Sequence, residues 1–335
     1  MGSRIGVIGL GRIGAFHVDT LSTLDGVDGL VVTDERQEVT EAVAQKSGAT
    51  AVSSAADMIA SGVDGIVVAA ATSAHAGLVL ACVDAGIPVF CEKPIAFTAA
   101  ESLAVVQRIS GGSVPVQIGY NRRFDPAFVA AKAAVVSGEL GRLHTVRSTT
   151  LDPAPPPMSY IAGSGGIFRD CSVHDFDIVR WVVGQEVVEV YAAGSNQGDP
   201  EFSVVGDVDT AATTMTFENG TLGVVSNTRY NGRGYDCRLE VHGSDDTVVA
   251  GWDQKVPVRN LEASATFPDS APHSFFMDRF ESAYRAELSA FLRVVTGDIP
   301  SPCTARDALE VAWIAEAATL SLQQHRPVRI DEVRP

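Results

Sequence analysis

Ile5-Gly6-Val7-Ile8-Gly9-Leu10-Gly11-Arg12-Ile13-Gly14 is a short apolar run closed by the spacing G-x-G-x-x-G, and a helical pattern follows it over 13–20. A chain with 31 glycines meets this spacing by chance often enough that the spacing alone means little. Its position between a strand and a helix gives it content. The first glycine allows the tight turn, the second lets backbone approach a pyrophosphate, and the third lets helix and strand pack closely. The helix N–H groups and dipole then face the negative charge. Asp34 stands twenty positions beyond Gly14, at the end of the next apolar run. A carboxylate there can bond both ribose hydroxyls and repels a 2′-phosphate, which favours NAD over NADP. Arg36 pulls the other way, because a nearby arginine can serve a phosphate.

Outward from this stretch, Leu30-Val31-Val32, Ile66-Val67-Val68 and Val89-Phe90-Cys91 read as further strands. They are near-continuous apolar runs, the pattern of a parallel sheet covered on both faces. Helical patterns fall at 38–47, 55–60, 74–85 and 98–110, the last opened by a Thr98/Glu101 capping box. The fold class is α/β, with residues 1–120 forming a doubly wound Rossmann domain. The texture changes near Tyr120. Residues 121–335 are expected to form a second, α+β domain with a largely antiparallel sheet. A helix at 126–137, a strand from Leu143, a proline-rich excursion at 152–157 and a helix at 173–183 lead into it. Strands are expected near 186–195, 209–218, 221–230, 236–243 and 246–250, with Asn219-Gly220 marking a hairpin. Two helices, 275–296 and 304–324, close the pattern, with Thr304 as an N-cap.

Composition narrows the function classes. Hydrophobic residues are 46% and charged residues 20%, as in an ordinary globular protein. A formal charge of −16 argues against nucleic acid and anionic membrane surfaces as partners, since the basic residues are scattered. Five cysteines without a CxxC pair argue against zinc ribbons and disulfide frameworks. The first strand begins within four residues of Met1, leaving no room for a signal peptide, and Gly65–Phe90 is interrupted by His75, Asp84 and Pro88. A cytoplasmic location is expected.

Two segments carry candidate chemistry. Cys91-Glu92-Lys93-Pro94 follows a strand, so Lys93 stands at the carboxyl edge where such sheets bind ligands, and a cis bond at Pro94 is expected to turn the lysine toward the cleft. Gly165-Gly166-Ile167-Phe168-Arg169-Asp170-Cys171-Ser172-Val173-His174-Asp175-Phe176-Asp177 spaces Asp170 and His174 four apart, on one helix face if the helix begins by Asp170. Oxidising a secondary alcohol needs a base for the hydroxyl proton as hydride leaves carbon. His174 suits that base, Asp170 can orient its imidazole, and Lys93 can donate to the developing oxyanion. The plainer alternatives are a capping Asp170, a structural His174 and a solvated Lys93. His17 reads as a packed residue, Phe275, Phe276, Phe280 and Phe291 as core or interface, and no metal is expected at His174-Asp175-x-Asp177.

Glu92-Lys93-Pro94, Asp170-x-x-x-His174, and Asp152-Pro153 ahead of the Gly-Gly-Ile-Phe-Arg-Asp run together resemble the Gfo/Idh/MocA oxidoreductase family. With Gly234-Tyr235-Asp236, the resemblance is to its inositol dehydrogenase branch, and it covers essentially the whole chain. It implies a Rossmann domain, a C-terminal domain with an open sheet, and often a homotetramer built on that sheet. It implies Lys93, Asp170 and His174 as the catalytic set, and NAD held by Gly9, Gly11, Arg12, Ile13, Gly14, Asp34, Glu92 and Lys93. Substrate contacts implied by the resemblance are Arg123, Asp152, Asp177 and Tyr235, beside Lys93, Asp170 and His174. Arg122 and Arg123 are not distinguished, and a structural ion pair is the alternative for each such contact. The implied reaction is oxidation of myo-inositol to its 2-keto product. Another cyclitol or an aldose is the alternative substrate, and a non-catalytic NAD-binding regulator the alternative class.

Overall fold

The apolar runs of the first third become strands with few exposed side chains, each followed by a helix. They are β1 (Ser3–Ile8), α1 (Arg12–Leu21), β2 (Val27–Thr33), α2 (Gln37–Ser47), β3 (Thr50–Ala51), α3 (Ala55–Ala60), β4 (Gly65–Val68), α4 (Thr72–Asp84), β5 (Val89–Glu92), α5 (Ala99–Ile109) and β6 (Val116–Gly119). The computed structural model describes residues 2–335. All pairings in this sheet are parallel and its order is β3-β2-β1-β4-β5-β6. The order reverses between β1 and β4, and in such sheets ligands bind outside the carboxyl ends at that switch. The Gly9 loop leaves β1 there. The Thr98/Glu101 capping box is present on α5.

The remaining elements are α6 (Pro126–Ser137), β7 (Leu143–Leu151), α7 (Met158–Ile161), α8 (Ile167–Asp170), α9 (Val173–Val183), β8 (Val187–Ser195), α10 (Glu201–Val204), β9 (Thr210–Phe217), β10 (Leu222–Thr228), β11 (Asp236–Gly243), β12 (Thr247–Ala250), α11 (Phe276–Arg279), α12 (Glu281–Val295), α13 (Ala305–Gln324) and β13 (Val328–Arg329). The second sheet runs β12-β11-β7-β10-β9-β8-β13, antiparallel except for the β7/β10 pair. It is therefore mixed, and largely antiparallel as expected. Gly220, at positive φ, turns the β9/β10 hairpin.

Two compact units result. One runs through Asn121 and takes in Ser282–Glu310; the other comprises Arg122–Glu281 and Val311–Pro335. Residues 282–310 thus depart from the expected second domain of 121–335. Leu288, Phe291 and Leu292 of α12 join Ile5, Val7, Val67 and Phe90 in one core, and the Phe90 and Phe291 rings lie 5.8 Å apart. Burying each such side chain contributes about 1.5–3 kcal/mol, enough to hold the segment to the first unit.

The expected helix 275–296 is broken at Phe280, whose φ and ψ of −113° and 17° leave the helical region. Its ring packs 6.3 Å from Tyr235 and 6.2 Å from Phe128, under the Arg279 guanidinium. Packing of that ring outweighs the continuous helical periodicity of the local sequence.

Candidate active site

In the first unit the dinucleotide loop is built from main chain. Gly9 adopts φ +90°, and a Cβ there would meet the Ala70 backbone at 2.5 Å. A Cβ on Gly14 would strike the Gly9 carbonyl. Gly11, by contrast, faces open space and caps α1 without any side-chain bond, and the first turn carries no acidic residue. Arg12 and Ile13 form that turn. A start of α1 with no capping side chain and no acidic first turn suits the anionic pyrophosphate of a dinucleotide.

Asp34 follows β2 and is tied to the same loop. Its carboxylate accepts from the Leu10 amide at 2.7 Å and from the Arg36 amide and Nε at 3.0 and 3.2 Å. Burial opposes its charge, but those backbone amides and the Arg36 guanidinium outweigh burial and hold the carboxyl below its ordinary value. Arg36 is therefore engaged by Asp34 and largely exposed. The set fits a ribose diol beside a pyrophosphate loop, and so fits NAD.

Lys93 follows β5 directly, and the Lys93–Pro94 bond is cis, as expected. The buried His75 of α4 brings Nδ1 to the Pro94 carbonyl at 2.7 Å and Nε2 to the Ala70 carbonyl at 3.0 Å. One imidazole thus links the lysine's segment to the backbone against which Gly9 packs. The Glu92 carboxylate lies 2.7 Å from Nε2 of His17, which is fully buried, among the rings of Phe90 and Tyr284. His17 is a packed residue, as its sequence context suggested.

In the second unit the candidate residues are bound into ion pairs. Asp170 ends α8 and His174 lies in the first turn of α9, with Cys171-Ser172 between. The two therefore do not share one continuous helix face. The Ser172 amide reaches back to Ile167, which interrupts the ladder a single helix would need. Asp170 accepts from the Tyr160 hydroxyl at 2.9 Å and from Nη2 of Arg229 at 2.7 Å. Nη1 of the same arginine donates to Asp152 at 3.0 Å. Burial pushes the Asp152 carboxyl up, and Arg229 partly offsets this. Tyr235 is buried, which pushes its phenol well above its ordinary value.

Arg123 and Asp177, both expected at the substrate, form a buried two-pronged pair with each other at 2.8 and 2.6 Å. Arg122 donates to Asp175 at 2.8 Å, and Ser148, Thr150 and Asn227 donate to the same carboxylate. The two adjacent arginines thus both tie the turn before α6 to α9. Arg229 was missed from sequence. It carries no motif, and its partners lie 59 and 77 residues away. Asp175 was missed as an anchor for the same reason.

Comparison with known proteins follows the same division. The oxidoreductase family with an NAD-binding Rossmann fold matches residues 3–120, and the GFO/IDH/MocA C-terminal domain matches residues 128–249. Myo-inositol 2-dehydrogenase of Thermotoga maritima is 37% identical over 98% of this chain and 99% of its own. The crystal structure of a myo-inositol dehydrogenase from Corynebacterium glutamicum superposes with a TM-score of 0.91 at 36% identity, covering 98% of this chain and 99% of its own. The scyllo-inositol dehydrogenase of Lactobacillus casei, solved with NAD(H) and scyllo-inositol, gives 0.90 at 26% identity, covering 99% and 100%. Among the described residues no helix is long and apolar enough to cross a membrane.

Proposed function

The chain belongs to the Gfo/Idh/MocA family of oxidoreductases with an NAD-binding Rossmann fold, and on that premise we propose that it oxidises a secondary hydroxyl of an inositol, myo-inositol first, to the keto product. The observation that carries this reading is likeness over nearly the whole chain, through both units, to proteins named for inositol oxidation. NAD, when bound, supplies the hydride acceptor. Gly9, Gly11 and Gly14 admit its pyrophosphate to the start of α1, and Asp34 takes the ribose diol. His174 accepts the proton of the reacting hydroxyl, and Asp170 orients the imidazole. Lys93 donates a hydrogen bond to the oxygen on which negative charge grows. Asp152 and Tyr235 bond other hydroxyls of the ring. The Arg123–Asp177 pair acts indirectly, by fixing α9, which carries His174.

Initial rates with NAD and a panel of inositols and aldoses test the reading. Turnover confined to aldoses overturns the inositol assignment, and NAD binding without any turnover favours a regulator.

The same premise suggests a cytoplasmic homotetramer. All five cysteines are buried and none is in a disulfide, as suits a reducing compartment. The second sheet leaves one face uncovered by its own unit. Val249, Glu240, Arg147, Val224, Thr214 and Tyr191 line up in register across six strands, and none is buried. A second copy of the chain would cover that row, and sedimentation of the purified protein gives the assembly.

A further inference from the structure

Arg229 follows β10 and its side chain is 4% exposed, yet it serves two carboxylates from separate elements, Asp152 beyond β7 and Asp170 at the end of α8. The fork takes one oxygen from each. The other Asp170 oxygen accepts from Tyr160, while no other partner of the Asp152 side chain occurs among the described residues. The Nε–H of Arg229 is buried without an acceptor among the described residues. A guanidinium held only for stability is normally satisfied at every donor, and an orphaned buried donor calls for an explanation. Asp152 and Asp170 are both largely withdrawn from solvent, and holding their like charges close is an expensive arrangement where packing alone is at stake.

We propose that Arg229 is a positioning residue for the reaction: its planar fork fixes the spacing of Asp152 and Asp170 and offsets their like charge, so that one carboxylate can take a substrate hydroxyl and the other can serve His174. The proposal rests on the catalytic reading given above. A lysine could not do the same, because one ammonium lacks the two parallel donors that a guanidinium directs at two acceptors. The charges around Asp152 support it. Burial and Asp170 push the Asp152 carboxyl up, while Arg229 and, more weakly, Arg122 pull it down. Cys171 and Tyr235 also face it, both with their ionisation pushed up by burial and so neutral near pH 7.

The test compares wild type, R229K and R229M for kcat and KM on the polyol across pH, with NAD binding followed by fluorescence. Without the guanidinium the Asp152 carboxyl rises further, so the acid limb of the pH profile should move to higher pH by about one to three units. R229M should also lose kcat by about a hundredfold through misplacement of the carboxylates. R229K should return most of the limb but not KM. NAD affinity should not change. A limb and KM unmoved in R229M overturn the proposal.

Thermal unfolding supplies a reading that does not need turnover. The folded Asp152 value is raised, so charging this group weakens the fold as pH rises through that value, and more so without Arg229. The unfolding penalty of R229M should therefore be larger on the alkaline side than on the acid side, and D152N/R229M should lose that difference. A penalty equal at both pH values, in both variants, also overturns the proposal. If wild type oxidises no polyol, the catalytic reading fails, and the unfolding experiment still decides the clamp.

Discussion

In the first unit the candidate site is mostly main chain. A left-handed Gly9, an uncovered Gly11 and the carbonyls of Ala70 and Pro94 gripped by His75 do the positioning. In the second unit it is side chain on side chain, with Arg229 reaching Asp152 and Asp170, and Arg122 and Arg123 reaching Asp175 and Asp177. Main-chain sites constrain which residues fit at neighbouring positions, so they leave a short local signature. Ion-pair sites constrain only which charges meet after folding, so the sequence near each charge says little. The difference also separates the ways the two halves should fail when altered.

The largest effect should come from the groups assigned to chemistry. K93A and H174A should each lower kcat by about 10²–10⁴-fold, the usual worth of positioned proton transfer and oxyanion donation. NAD binding, measured by fluorescence, should stay near wild type in H174A, since the first unit keeps its loop. Full turnover in either variant removes that residue from the mechanism.

Next is the buried carboxylate Asp175, which accepts four side-chain bonds while fully buried. D175A leaves Arg122 as an uncompensated buried cation, a change that typically costs about 3–5 kcal/mol. Trp181, Trp252 and Trp313 all belong to the second unit. Tryptophan fluorescence during denaturation therefore reads that unit, and it should show the loss. A change below about 1 kcal/mol would place Asp175 among ordinary surface-like pairs.

This asymmetry explains what could be read in advance. The doubly wound class of the first sheet, four of its strands, most strands of the second sheet and the ends of α6 and α9 are legible in the sequence because hydrophobic period and caps are local. A shared helix face for Asp170 and His174 requires the helix to begin by Asp170, and spacing alone does not reveal that the Ser172 amide bonds back to Ile167 and that α9 starts only at Val173. The break at Phe280 was hidden for a related reason, since its cause is a contact with Tyr235 and Phe128 far away in sequence. Arg229 was invisible altogether. Nothing in Thr228-Arg229-Tyr230 distinguishes it from a solvated arginine at a strand end.

Within the main-chain half, two glycines should part company. G9A places a Cβ against the Ala70 backbone at a residue already in the left-handed region, at a cost of about 1–3 kcal/mol. G11A meets open space, so stability should stay within about 0.5 kcal/mol of wild type. Its new methyl should instead stand between the helix start and the pyrophosphate and weaken NAD binding in calorimetry. Equal losses of stability in both variants would mean that the loop does not divide packing from binding.

The smallest effect should fall where the first unit borrows the second unit's device, the Asp34–Arg36 pair. Arg36 is 60% exposed, so the pair is screened and its removal in R36A should change stability by about 0–1 kcal/mol. The two backbone amides on Asp34 remain, so its carboxyl should rise only part of the way to its ordinary value. The sign follows from linkage. A folded value held below the unfolded one gives stability that is present above the unfolded value and lost as pH falls through the folded one. R36A should therefore narrow that acid-side loss slightly without shifting behaviour near neutrality, and NMR titration of the Asp34 carboxyl in the two proteins measures it. If R36A instead returned Asp34 to its ordinary value, the side chain and not the main chain would control the ribose end, and the contrast between the two units would lose its clearest member.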